Sequence, residues 1–119
     1  MSTFWFNHRE GPIASKILEA TDGVGVDLAV TMLADQTLSD NLESLKLGGT
    51  VAIVGNRGEI TINPRALMGR ESQAVGVMLG NTSDEEWKET FAALEAAMAS
   101  GVMNPVVGQT YTGLEVRFF

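Results

Sequence analysis

Residues 49–55 read GTVAIVG, residues 56–72 NRGEITINPRALMGRES and residues 73–79 QAVGVML. The two outer pieces are short, β-branched and apolar, and each closes in a turn or loop. Apolar runs with little alternation are what strands covered on both faces look like. Helical pattern lies before, between and after such runs, so the strands are expected to be parallel and linked by crossovers. A sheet of this kind usually opens with a strand, a glycine turn and a helix, and no such unit is present.

Outward from that stretch the elements alternate. Phe4 to Asn7 is a short aromatic run read as a strand. Gly11-Pro12 starts a helix, since proline suits the first helical position, and Gly23 stops it. Val26 to Thr31 reads as a strand. Leu38, Leu42 and Leu45 share one face of a helix over residues 36–46, which Gly48-Gly49 should end. Strands follow at Val51 to Val54 and Ala74 to Leu79, with a short helix at Arg65 to Gly69 capped by Asn63-Pro64. Ser83 and Glu86 form a capping box for a helix over 84–100. Its stripe of Trp87, Phe91, Leu94 and Met98 is expected to pack on the sheet. The tail from Val102 carries mixed strand-like signals. Met32, Met68, Met78, Met98 and Met103 are read as core filler.

Composition excludes several function classes. One domain is the natural count for 119 residues. Fifteen acidic against eight basic residues give a net charge of -7, so nucleic acid and anionic membrane are not expected as partners. There is no cysteine and a single histidine, His8, which leaves little for a metal site. No apolar run reaches membrane-spanning length, and the first ten residues lack a signal-peptide core. A cytoplasmic protein is the default expectation.

Three motifs are candidates for chemistry. Gly23-Val24-Gly25 imitates a dinucleotide fingerprint, but it precedes a strand, and residue 28 is leucine where a third glycine belongs. A plain helix-stop turn explains it. Gly55-Asn56-Arg57-Gly58 follows the Val51 to Val54 strand, at the carboxyl end where ligands of open parallel sheets lie. Its amides could meet a phosphate or ribose, or it could be an ordinary strand-to-loop turn. His8 beside Arg9 reads most simply as a solvated surface residue.

FNHRE at 6–10, MLA at 32–34, LGG at 47–49, VAIVGNRG at 51–58, INPR at 62–65, ES at 71–72 and GVMNPVVG at 101–108 occur in that order. The ordered set resembles the cofactor domain of zeta-crystallin-like quinone oxidoreductases, in the medium-chain dehydrogenase/reductase superfamily, over about residues 6 to 112. The resemblance implies an α/β fold: a partial Rossmann-type doubly wound parallel sheet, strands 3–6 of the usual six, with helices on both faces. It implies hydride transfer from NADPH to a quinone without zinc, in a homo-oligomer that extends its sheet through the Ala74 to Leu79 edge.

Residue by residue, the resemblance implies cofactor contacts at His8, at Thr37, along the turn Val54, Gly55, Asn56 and Arg57, and at Val77, Met78 and Leu79. It assigns no catalytic acid or base. Relatives often carry a longer polar side chain where Thr37 stands.

The family's GroES-like catalytic domain and first two cofactor-domain strands have no counterpart here, and TGLEVRFF leaves the family pattern after Leu114 or Glu115. Residues 1–119 are therefore expected to be one partial nucleotide-binding domain, inactive alone. Two other readings stay open: a non-catalytic dimerisation or interaction module, and a related enoyl or alcohol reductase of the superfamily.

Overall fold

A computed structural model describes residues 3–110. The chain divides into two compact units, residues 1–80 and 81–119. No helix among the described residues is long and apolar enough to cross a membrane. The tail reading falls partly on residues 111–119, outside the described residues.

The first unit holds a three-stranded parallel sheet in the order β1-β2-β3. Helix α1, Ile13–Ala20, precedes β1, Val26–Thr31; α2, Ala34–Ser44, leads into β2, Leu45–Ile53; α3, Pro64–Met68, leads into β3, Gln73–Gly76. The regular ladder joins Leu28 through Thr31 to Thr50 through Ile53. The same stretch of β2 joins Gln73 through Gly76. The α/β class with parallel strands and crossover helices is what the sequence implied, and β1 and β3 are both edges.

Local chemistry explains the boundaries. Gly23 closes α1, its amide 2.7 Å from the Leu18 carbonyl. The Thr21 hydroxyl donates to the Ile17 carbonyl and accepts from the Gly25 amide, which ties the turn to the start of β1. Asn63 caps α3 through Oδ1, which accepts from the Arg65 amide, and Pro64 takes the first helical position as expected.

Four expectations need correction. Phe4 to Asn7 forms no strand; a 3₁₀ turn follows at His8–Glu10, and Trp5 is 90% exposed. A strand needs a partner, and the described sheet has none beside it. Second, α2 ends at Ser44, not at Gly48-Gly49. Leu45, 1% exposed, pairs with Val26, and Lys46 to Gly49 bulge out before the ladder resumes. Arg70 does the capping, donating from Nε to the Leu45 carbonyl and from Nη2 to the Glu43 carbonyl, each at 2.7 Å. A cation there complements the negative end of the helix dipole. Third, β3 ends at Gly76. After Ile53 the amides of Val54 and Gly55 turn to the Thr31 carbonyl, so beyond Val77, whose amide reaches the Ile53 carbonyl, the chain loses its neighbour. Fourth, the methionines are surface residues: Met68 is 75% exposed and Met32 61%.

The core sits between α2 and the sheet: Ala34, Leu38, Leu42, Leu45 and Val51. Leu38 and Leu42 enter it from α2 as expected, whereas Leu45, read as a third helical position, enters it from the first residue of β2. Helix α2 lies on β1 and β2, with α1 and α3 against α2. Leu28 and Val30, on the other face of β1, are each 56% exposed. Lys46 pairs with Asp27 across the bulge and holds that carboxylate below its usual range. An exposed pair of this kind contributes little to stability.

The second unit contains α4, Asp84–Ala99, with the predicted capping box. Trp87 and Phe91 stack with ring centres 5.4 Å apart. The helix buries none of its residues, and Phe91 is 60% exposed. The apolar stripe is therefore real, but its expected burial is not seen.

The cap has a pH signature. Hydrogen bonds from the Ser83 amide and then the Ser83 hydroxyl hold the Glu86 carboxyl below its ordinary value. A depressed folded-state pKa means the contribution is present above the unfolded value and is lost as pH falls through the folded one. The Ser83 amide resonance is expected to titrate with a midpoint below that of an ordinary glutamate. A midpoint at the ordinary value would show that the cap does not form.

Candidate functional site

All three strands are parallel, so their carboxyl ends share one edge of the sheet. Three chain segments meet there: Thr31 to Ala34 after β1, Val54 to Gly58 after β2, and Val77 to Leu79 after β3. The sequence-predicted residues lie along this edge.

His8 and Thr37 line one cavity of ≈ 300 Å³ at the end of β1. Its apolar walls include Ile13, Val30 and Leu33, and its polar groups include Asp40 and Asn41. That volume is at the lower limit for a small-molecule site, and apolar walls with few polar groups are the usual make-up. Thr31, 4% exposed, also lines the cavity, with its hydroxyl 2.7 Å from that of Thr37.

The Val54 to Arg57 turn lies beside this cavity but does not line it. Gly55 is there for close approach. A Cβ on it would stand 2.3 Å from the Met32 carbonyl oxygen, and its own carbonyl accepts from the Ala34 amide at 3.0 Å. The Gly55 amide goes to the Thr31 carbonyl, 3.2 Å, and the Arg57 amide to Asp35 Oδ1, 3.3 Å. Asn56 Nδ2 closes the loop on the Gly58 carbonyl at 2.6 Å. The amides of Val54, Gly55 and Arg57 are thus already taken within the chain. The turn's visible work is to lock β2 to the start of α2.

Val77, Met78 and Leu79 stand at the third strand, 43%, 69% and 58% exposed. They are not among the residues around the cavity. The predicted set is thus one edge with one formed subsite, at His8 and Thr37.

Gly23 and Gly25 take no part in it. They precede β1, and a Cβ on Gly25 would meet the Leu45 and Ser44 backbone at 2.6 Å. Asp40, Asn41 and Thr31 are site residues that sequence reasoning missed. Thr37 and Asn41 are four apart, on one face of α2, and that polar pairing beside the leucine stripe was the available signal.

Parallel strands joined by helical crossovers, with a cavity at the carboxyl edge, define a Rossmann-type α/β unit. The family model described as zinc-binding dehydrogenase matches residues 3–97, and the chain belongs to that family. The quinone oxidoreductase of Homo sapiens is 43% identical over 106 residues, covering 89% of this chain and 32% of that protein. The chain therefore spans about a third of the length of the curated relatives it matches. Among solved structures, AibC aligns with a TM-score of 0.67 at 32% identity, over 80% of this chain and 26% of its own. A quinone oxidoreductase from Pseudomonas syringae pv. Tomato DC3000 aligns at 0.71 and 22% identity, over 80% of this chain and 31% of its own. That second likeness speaks for the fold alone.

Proposed function

We propose that this chain is the later part of the cofactor domain of an NADPH-dependent quinone oxidoreductase of the zinc-independent kind. In the whole protein the nicotinamide supplies the hydride and the quinone accepts it. The chain's own residues would position the cofactor along the carboxyl edge: His8 and Thr37 at the cavity, Val54, Gly55, Asn56 and Arg57 along the turn, and Val77, Met78 and Leu79 beside β3. The observation that carries this reading is the meeting of these residues on one edge in a chain 43% identical to a quinone oxidoreductase. The cytoplasm is the compartment the reading implies.

The fit to the cofactor is uneven. The cavity supplies apolar walls with a few polar groups. The amides of Val54, Gly55 and Arg57 are engaged within the chain and are not offered to a pyrophosphate. Helix N-terminal donors normally supply much of that binding. The isolated chain is therefore inactive in this reading. It should bind NADPH no tighter than about 1 mM, about 4 kcal/mol of binding free energy. Isothermal titration checks this, and micromolar affinity would overturn it.

A second reading, a dimerisation or interaction module, has its own support in the two open edges. Val75 and Val77 on the β3 side are 44% and 43% exposed. Unpaired apolar edges invite strand addition. Self-association through Ala74 to Leu79 is expected, visible as rising apparent mass in light scattering across a concentration series. Val75→Lys or Val77→Lys should shift that rise to higher concentration. A wild-type chain that stays monomeric at high micromolar concentration would sink the idea.

A further inference from the structure

A second cavity lies away from the carboxyl edge. It is an open crevice of ≈ 510 Å³ among α1, α2 and α3, and it shares no lining residue with the cavity at His8 and Thr37. Glu43 lies at the end of α2, where β2 begins, and Arg70 shortly before β3, so the crevice sits toward the amino ends of the strands.

Ala14 and Leu18 of α1 and Ala66 of α3 give the crevice an apolar wall. In a chain of net charge -7, two of the five arginines, Arg65 and Arg70, also line it, with Glu43 as its one carboxylate. Among the described residues the ion pairs are Lys16–Glu10 and Lys46–Asp27, so neither arginine has a carboxylate against it. Arg70 is half-buried and held in place, since Nε and Nη2 donate to the Leu45 and Glu43 carbonyls. An anion that meets a cation already fixed costs little further ordering. Arg65 is exposed, and among the described residues only its backbone is engaged, its amide donating to Asn63 Oδ1. The planar guanidinium fork matches a carboxylate through two parallel hydrogen bonds.

Charge sets the kind of anion. Two guanidinium groups less one carboxylate leave the lining with one positive charge. A monoanion balances it, whereas a dianion brings an excess negative charge beside Glu43.

We propose that this crevice is a binding site for a small organic monocarboxylate. The carboxylate lies on Arg65 and Arg70, the hydrocarbon tail lies on Ala14, Leu18 and Ala66, and Glu43 disfavours dianions. The site is separate from the carboxyl edge and does not depend on the cofactor reading.

The test is an NMR titration of the whole chain with butyrate, acetate, butan-1-ol and inorganic phosphate. Ionic strength is held constant, at a pH where phosphate is a dianion, and the methyl signals of Ala14, Leu18 and Ala66 are read. Butyrate should shift them saturably, and butan-1-ol should not saturate over the same range. Acetate, two methylenes shorter, should bind about fivefold more weakly. Phosphate should also bind more weakly than butyrate. Arg65→Gln should weaken butyrate binding about tenfold. Arg65→Lys, which keeps the charge without the fork, should recover only part of that loss. Glu43→Gln should raise phosphate affinity about tenfold and butyrate affinity about threefold. In thermal melts, butyrate at about ten times its Kd should raise the midpoint of the wild-type chain more than that of Arg65→Gln.

Butan-1-ol that saturates as butyrate does overturns the inference, because the arginines then contribute nothing. No saturable shift from butyrate overturns it, and so does phosphate binding as tightly as butyrate. Acetate binding as tightly as butyrate removes the apolar wall from the site and overturns it too. These outcomes are read on the wild-type chain, so they hold whether or not a variant folds. An unchanged butyrate affinity in a folded Arg65→Gln has the same force.

Discussion

Gly25→Ala is expected to leave the first unit largely unfolded, while Gly23→Ala leaves it folded. The two glycines are two residues apart and both have positive φ, +88° and +80°. An L side chain in that region costs about 1–2 kcal/mol. At Gly23 that is the whole cost, because a Cβ there meets nothing within 4 Å. At Gly25 the Cβ would lie 2.6 Å from the Leu45 carbonyl carbon and the Ser44 oxygen, and 2.7 Å from the Lys46 amide nitrogen. All three are backbone atoms at the junction of α2 and β2, and they cannot rotate away. Relief would require β1 to part from Leu45, which is buried in the core. Strain and overpacking together should exceed about 3 kcal/mol, against about 1–2 kcal/mol at Gly23. Urea denaturation followed by far-UV circular dichroism measures both. Equal midpoints for the two variants would show that the close approach at Gly25 is not real.

That pair also shows what could be read from sequence. Gly23 was legible as a helix stop, since such turns depend on a few adjacent residues. The role of Gly25 was not, because its reason is the backbone of residues 44–46, about twenty positions away. The same division runs through the fold. β1 and the capping box of α4 are where local pattern puts them. The end of α2 is not, because Arg70 and Val26 set it from a distance. Phe4 to Asn7 has strand composition, but a strand exists only with a neighbour to bond. The aromatic stripe of α4 was legible as a stripe, and periodicity alone does not say what covers it. At the site, the family resemblance named His8 and Thr37 separately, and it is the fold that brings them to one cavity. Asn41 offered only its four-residue spacing from Thr37, because a mid-helix asparagine looks like any solvated residue until the fold sets it at the cavity.

Leu42→Ala should be the most damaging truncation in the core. Leu42 is fully buried. It stands with Leu38 on the face of α2 that covers the sheet, in one cluster with Leu45 and Val51 of β2. Removing a buried leucine side chain loses its transfer free energy and leaves a cavity, together about 2–5 kcal/mol. The cavity has little means to close, since its neighbours Leu45 and Val51 are tied into the β1–β2 ladder and cannot shift singly. A unit of about 80 residues with six buried apolar side chains among the described residues has little surplus stability to absorb that loss. Phe91→Ala is the contrasting case. Phe91 has the larger side chain, and a reading from hydrophobic pattern would rank it first. At 60% exposure it has little to lose beyond its stack on Trp87, worth about 0.5–1.5 kcal/mol. Thermal melts of both variants at one concentration should therefore show a cooperative transition lost or far lowered in Leu42→Ala and nearly unmoved in Phe91→Ala. The reverse order would mean that α4, not α2, supplies the helix that stabilises the chain.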